Sequence, residues 1–65
     1  MKLILKNQKE FFNFQSDSPV NIVPGTYNVS TKKFGPQEWI ILLGSNTGLM
    51  KVQIENDPEI ELIEN

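Results

Sequence analysis

Turn-forming residues divide this chain into segments that are too short for a helix bundle. The turn signals are Asp17-Ser18-Pro19, Pro24-Gly25, Gly35-Pro36, Gly44-Ser45-Asn46-Thr47-Gly48 and Asn56-Asp57-Pro58. Gly, Pro, Asn and Asp favour turns because their backbones or side chains suit the required dihedral angles. The signals recur roughly every 8–12 residues, which is typical of a small all-β domain. The chain also has no Ala and seven Ile, a composition that favours strands over helices.

Between the turns, apolar and polar residues alternate with a period of two, which places each apolar set on one face of a strand. The alternating sets are Leu3 and Leu5, Tyr27 and Val29, Met50, Val52 and Ile54, and Ile60 and Leu62. The run Trp39–Leu43 is apolar throughout, as expected for a central strand covered on both faces. We therefore predict strands near 2–6, 26–31, 38–43, 49–55 and 59–64. Residues 7–25 form a long connection with room for a short strand at 11–14, and residues 44–48 form a hairpin loop.

These segments predict one all-β domain over residues 1–65, a small five-stranded, strongly bent antiparallel barrel. The SH3-like barrel fits best, and an OB-like barrel or a small sandwich is the alternative. In SH3 domains a Trp near the start of the third strand lines the groove for proline-rich peptides. Glu38-Trp39, followed by Gly44 and Gly48, is similar in spacing. The Tyr-rich first-loop motif and the Pro-Ser-Asn-Tyr stretch of that family are absent from this sequence.

The composition argues against an enzyme. Without Cys the chain has no disulfide, no thiolate nucleophile and no Cys-ligated zinc. Without His it lacks the commonest general base and metal ligand. A barrel of this size also offers little concave volume for a substrate. We predict a non-enzymatic protein without a cofactor or a metal.

No segment of the sequence reads as a membrane span or a signal. The longest apolar run, Trp39–Leu43, is five residues, whereas a signal peptide needs about 7–15 apolar residues and a spanning helix about 20. We therefore expect a soluble, intracellular protein of the cytoplasm that does not bind a membrane.

Aromatic residues supply the candidate contacts. If residues 11–14 form a strand, Phe12 and Phe14 share one face and Phe11 takes the other. If that other face is in solvent, Phe11 is an exposed aromatic beside Lys6 and Lys9. The alternative is that the first loop folds over the barrel and buries all three rings. Phe34, beside a Gly-Pro turn, and Trp39 likewise serve either as contacts or as core. The predicted partner-binding residues are Phe11, Phe34, Trp39, Lys6, Lys9, Lys32 and Lys33.

Charge is divided unevenly along the chain, with net +3 over residues 1–33 and net −5 over residues 34–65. Such asymmetry can steer a partner. We predict a protein-interaction module or a small regulatory or accessory subunit, with an inhibitor docked on a larger enzyme as a special case. One alternative is a single-stranded nucleic-acid binder, although the lack of Arg and the negative net charge count against it. The other is a self-assembling structural subunit, a homo-oligomer.

Overall fold

In the computed structural model, which describes residues 1–64, seven strands form one antiparallel sheet. In chain order they are β1 (Lys2–Leu5), β2 (Lys9–Asn13), β3 (Pro19–Ile22), β4 (Gly25–Phe34), β5 (Gln37–Leu42), β6 (Thr47–Met50) and β7 (Ile60–Ile63). A short helix, α1 (Lys51–Glu55), separates β6 from β7. The strands lie in the order β3-β2-β6-β5-β4-β1-β7. The predicted all-β class is confirmed.

Strand β4 holds the two parts of the sheet together because it is ten residues long and serves two neighbours in turn. Residues 25–28 pair with β1, and residues 29–34 pair with β5. Over residues 1–64, β3 and β7 have one partner strand each, so the sheet is not closed. The sheet has seven strands where five were predicted, so the five-stranded SH3-like barrel is not confirmed.

Two segments differ from the strands that the sequence predicts. Residues 7–25 contain a complete hairpin, β2–β3, which adds two strands where we expected one short one at most. Residues 51–55 are helical, although Met50, Val52 and Ile54 alternate as in a strand. The Gln53 side chain accepts a hydrogen bond from the Met50 N–H at 3.3 Å, which stabilises the first turn of α1. A helix this short depends on tertiary packing rather than on intrinsic propensity.

The core lies on one side of the sheet and is entirely apolar. Its buried residues are Leu3, Leu5, Phe11, Val29, Ile40, Leu42, Leu49, Ile54 and Ile60. In β5, Ile40 and Leu42 point into this core, while Trp39 and Ile41 are half-buried on the other face. The core side of β5 is therefore buried, whereas the other side is only half-buried and lacks the full cover that the continuous apolar run predicts.

Two of the four glycines lie in turns that the sequence predicts, whereas Gly25 begins β4 and Gly48 lies inside β6. Gly35 has φ +59° and, with Pro36, connects β4 to β5. Gly44 has φ +82° in the loop between β5 and β6. Gly48 was predicted to lie in that loop but is buried inside β6. Across residues 1–64, no helix combines the length and apolar character required to cross a membrane.

Candidate interaction surface

Four aromatic rings gather on the sheet face opposite the core, and we call Phe12, Phe14, Phe34 and Trp39 the aromatic face. The strand register explains why they meet. Side chains alternate along a strand, so the neighbours of buried Phe11 and Ile40, namely Phe12 and Trp39, point outward. Strand β6 lies between β2 and β5 and brings the two outward sets to the same surface.

Phe14 is the centre of the aromatic face. Its ring centroid lies 4.9 Å from that of Trp39 and 5.1 Å from that of Phe12, both edge to face, and 5.5 Å from that of Phe34. These separations are favourable for aromatic pairs. The Phe12 and Phe34 side chains nevertheless remain 38% and 42% exposed. The rings therefore support one another and still present apolar surface to solvent.

Gly48 lies beneath this surface. It pairs with Phe12 on one side and with Ile41 on the other. A Cβ at this position would overlap the Ile40 carbonyl oxygen and would lie 2.8 Å from Ile41 Cδ1. Sequence reasoning missed this structural role because Gly48 closes a run of turn-forming residues. The apolar Leu49-Met50 that follows it was the one signal of a strand position.

A lysine borders the aromatic face on the β4 side. Lys32 is paired in register with Trp39, and its Nζ lies 5.3 Å from the centroid of the Phe34 ring, a cation–π distance. Lys33 is the next residue along the strand and so points to the other face, where its cross-strand neighbour is Glu38. Of these two predicted lysines, the fold places only Lys32 with the aromatic rings.

An open cavity of about 320 Å³ adjoins the aromatic face on the β2 side. Its lining includes Glu10, Phe12, Asp17, Pro19, Trp39 and Met50, and we call it the acidic groove. Asp17 adopts φ +57° in the β2–β3 turn, a conformation that Asp tolerates better than most residues. Glu10 and Asp17 are exposed, and among residues 1–64 neither forms an ion pair. The groove therefore combines aromatic walls with two free carboxylates.

Besides Lys33, three of the predicted contact residues lie away from the aromatic face. Phe11 is only 1% exposed and is one of the largest fully buried side chains, so it is core, one of the two alternatives that the sequence left open, and not the predicted contact residue. It is buried because its face of β2 is the one that packs on the core. Lys6 follows β1, and its N–H donates to the Glu59 carbonyl oxygen at 3.0 Å. Lys9 is engaged in an ion-pair network and does not join the aromatic face.

This network connects the start of β2 to the segment before β7. Lys9 Nζ lies 2.7 Å from Glu59 Oε1 and 3.2 Å from Asp57 Oδ2, and the Asn7 amide also donates to Glu59. Hydrogen bonds to Glu59 and Asp57 raise the pKa of Lys9. The Glu59 N–H, and then Lys9, lower the pKa of Asp57, while Lys9 and Asn7 lower the pKa of Glu59. Lys9 is therefore shared by two carboxylates of the same chain, which indicates a structural role for it.

Residues 1–64 contain no group of three or more Asp, Glu, His or Cys side chains that could hold a metal ion. The sequence matches no protein-family model, and neither a curated protein nor a solved structure is significantly similar to it. Inference about function therefore starts from the aromatic face and the charges beside it.

Proposed function

We propose that this chain is a non-enzymatic protein-interaction module, or a small regulatory or accessory subunit, whose contact surface is the aromatic face. The observation that carries the proposal is the separation of two apolar sets. One set forms the buried core, whereas the rings of Phe12, Phe14, Phe34 and Trp39 cluster on the opposite side of the sheet. The core is filled by Phe11 and aliphatic side chains, so the four clustered rings lie outside it.

Aromatic side chains suit a contact surface for two reasons. They bury a large apolar area, and they have few rotatable bonds, so fixing them on binding costs little entropy. Here each ring is already held by another ring at 4.9–5.9 Å. Energetically dominant residues of protein interfaces are enriched in aromatics such as Trp and Tyr that lie near the centre of the contact. Trp39 lines the acidic groove on one side and is paired with Lys32 on the other.

The SH3-like barrel remains our proposal for the fold family. It is supported by the strong curvature implied by a β4 strand that serves two neighbours, and by the position of Trp39 beside a groove. The extra hairpin strands β2 and β3 are a departure from the five-stranded form. The functional proposal does not depend on this likeness, since it is argued from the exposed rings.

Substitutions on the aromatic face test the functional proposal. The tagged wild-type chain is used to capture proteins from its native lysate, and the affinity of each captured protein is then measured by calorimetry. Phe34→Ala and Trp39→Ala should each weaken binding at least about tenfold, which corresponds to about 1.4 kcal/mol. Val23→Ala is the matched control, because Val23 is an apolar side chain, 60% exposed, in the β3–β4 connection outside the aromatic face.

Circular dichroism spectra and melting curves must show that the variants remain folded. Unchanged affinity in both aromatic variants, with folding intact, would exclude the aromatic face as the contact surface. Loss of folding in both would assign the rings to the structural core and contradict the proposal equally.

A single-stranded nucleic acid is the second candidate ligand, favoured by the Lys32 ammonium beside exposed rings. Stacking on aromatics combined with phosphate attraction is how such ligands are held. A labelled oligonucleotide is titrated at low and high salt. Our proposal predicts no binding at either, whereas tight binding that weakens steeply with salt would replace a protein partner by a nucleic acid.

A further inference from the structure

Charged and aromatic side chains follow one another in a row across the outer face of the sheet. Trp39 is paired with Lys32 on one side and with Met50 on the other. Glu10 lies two residues before Phe12, on the same face of β2, and lines the acidic groove together with Met50 and Trp39. From β2 to β4, the row therefore consists of an acidic residue (Glu10), an apolar one (Met50), an aromatic one (Trp39) and a basic one (Lys32). Adjacent strands are about 4.8 Å apart, so Glu10 and Lys32 are separated by roughly 14 Å.

The two ends of this row keep their charges. The ion pairs of residues 1–64 involve Lys9 with Asp57 and Glu59, and Lys51 with Glu38 and Glu64. Glu10, Asp17 and Lys32 take part in none of them. Lys32 lies over the Phe34 ring instead, which leaves its charge without a carboxylate partner. A contact surface with opposite, unpaired charges at its two ends is complementary to a surface with the reverse arrangement.

A second copy of the chain presents that reverse arrangement. If a twofold axis lies between the two copies, parallel to the strands and over the middle of the row, rotation by 180° brings the two outer faces together and exchanges the two ends of the row. The acidic end of one copy then faces the basic end of the other, and the rings of the two copies meet in the middle. We propose that the partner of the aromatic face is a second copy of this chain, in a twofold dimer that pairs Lys32 of each copy with Glu10 of the other.

This inference rests on the proposed function, because it names the partner of the same surface. Dimer formation also addresses the size of the chain. A domain of about 60 residues buries only about 60% of its unfolded surface and is correspondingly marginal. A standard interface buries about 800 Å² per partner, which would be about a fifth of the 4207 Å² exposed by one copy. Such a contact is small, so we expect the dimer to be reversible.

Sedimentation equilibrium between 5 µM and 1 mM tests the dimer. The mass of the wild-type chain should rise from the monomer value of 7.4 kDa towards twice that value. Lys32→Glu and Glu10→Lys should each weaken association about tenfold or more, since each brings like charges together across the axis. The double exchange, Lys32→Glu with Glu10→Lys, restores opposite charges and should recover most of the affinity.

Lys33→Glu is the matched control, because it makes the same charge change one residue away on the other face of β4. It should leave the association constant unchanged. A wild-type mass that stays monomeric up to 1 mM would overturn the dimer. Failure of the double exchange to recover affinity, or equal weakening by Lys33→Glu, would overturn the twofold pairing.

Two further results separate this inference from the proposed function. A monomeric chain whose aromatic variants still lose a captured partner would overturn the second copy as partner and leave the interaction module standing. A dimer that persists unchanged in Trp39→Ala would overturn the use of the aromatic face, and with it the twofold pairing.

Discussion

At the scale of single residues, the adjacent pair Phe11 and Phe12 shows how much one sheet face differs from the other. The two rings follow one another along β2, yet Phe11 is 1% exposed and Phe12 is 38% exposed. Alternation alone requires them to point in opposite directions. It cannot say which face is the core, because Phe11 and Phe12 are equally apolar. The pairing of β2 with β3 and β6 determines that the Phe11 face of β2 packs on the core.

Alanine substitution should separate these two positions. Phe11→Ala leaves a cavity in the core and should lower the free energy of unfolding by about 3–5 kcal/mol. Phe12→Ala removes one exposed ring from contact with Phe14 and Trp39 and should cost about 1 kcal/mol. Urea titration followed by tryptophan fluorescence measures both. Equal losses would contradict the assignment of Phe11 alone to the core.

Gly48 should be intolerant of even one extra methyl group. Gly48→Ala would force its Cβ against the backbone of β5 and should lower the free energy of unfolding by about 1–3 kcal/mol. Gly35→Asn is the control: no atom lies within 4 Å of a Cβ there, and Asn tolerates the positive φ of the turn. We expect that variant to stay within about 0.5 kcal/mol of the wild type in the same urea titration.

At the scale of elements, α1 shows a local pattern giving way to tertiary packing. Met50, Val52 and Ile54 have the spacing of a strand, but only residues up to Met50 pair with β5. Helical geometry buries Ile54 at 3% exposure and leaves Val52 48% exposed. A strand would have placed both on the same face. The helix therefore buries only Ile54 in the core, whereas a strand would have placed Val52 and Ile54 on the same face.

If residues 51–55 are helical, truncating Ile54 and truncating Val52 should have unequal effects on stability. Ile54→Ala should lower the free energy of unfolding by about 2–5 kcal/mol, because a buried side chain is truncated. Val52→Ala should change it by no more than about 0.5 kcal/mol, because Val52 is exposed and Ala is the better helix former. Thermal or urea unfolding checks both variants. Comparable losses at the two positions would indicate that residues 51–55 form a strand.

The network of Lys9, Asp57 and Glu59 should make stability depend on pH at both extremes. The pKa values of Asp57 and Glu59 are lowered in the folded state. Their stabilising effect is therefore present above the unfolded carboxyl pKa of about 4 and is lost as pH falls through the lowered values. The pKa of Lys9 is raised, so its effect is present below its unfolded pKa and is lost in strongly alkaline solution.

The variant Lys9→Met tests the predicted direction of this pH dependence of stability. Between pH 6 and pH 2 the urea midpoint of the wild type should fall more than that of the variant, because the variant lacks the cation that lowers the pKa of Glu59. Lys6→Met is the matched control, since Lys6 forms no ion pair among residues 1–64. Added salt should reduce the difference between wild type and Lys9→Met. Parallel pH profiles in all three proteins would show that the network has no stabilising effect.

At the scale of the whole molecule, the open sheet has a centre and two edges. Strands β4 and β5 have neighbours on both sides, whereas β3 and β7 have one partner strand each within residues 1–64. The aromatic face is built on the β2-β6-β5-β4 part of this sheet. Its rigidity follows from those paired strands, which suits a surface that must be ordered before it binds.

Amide hydrogen exchange should report this arrangement. The alternate N–H groups of β3 and β7 that point away from their one partner strand should exchange rapidly where water is their acceptor. The Ile60 N–H, which donates to the Asp57 carbonyl oxygen at 3.2 Å, should exchange more slowly. The amides of Val29–Phe34 that are paired with β5 should exchange much more slowly. Two-dimensional NMR after transfer to heavy water measures both sets. Strong protection along both β3 and β7 would mean that the two edges pair and that the sheet closes.

The sequence by itself determined the all-β class, the turns at Asp17-Ser18-Pro19, Gly35-Pro36 and Asn56-Asp57-Pro58, and the approximate positions of β1, β4, β5 and β7. These features are local, because a turn residue or a period of two acts on the backbone within a few residues. Of the candidate site, Phe34, Trp39 and Lys32 were anticipated from their residue types and positions.

Only the tertiary structure decided that Phe11 is core, that residues 51–55 are helical and that Lys9 belongs to an ion network. It also decided that Phe12 and Phe14 join Trp39. Each of these outcomes depends on contacts between segments far apart in the chain, such as the pairing of Phe12 with Gly48 and of Lys9 with Glu59. Local patterns constrain which residues share a face, but the free energy of long-range burial and pairing selects which face is buried.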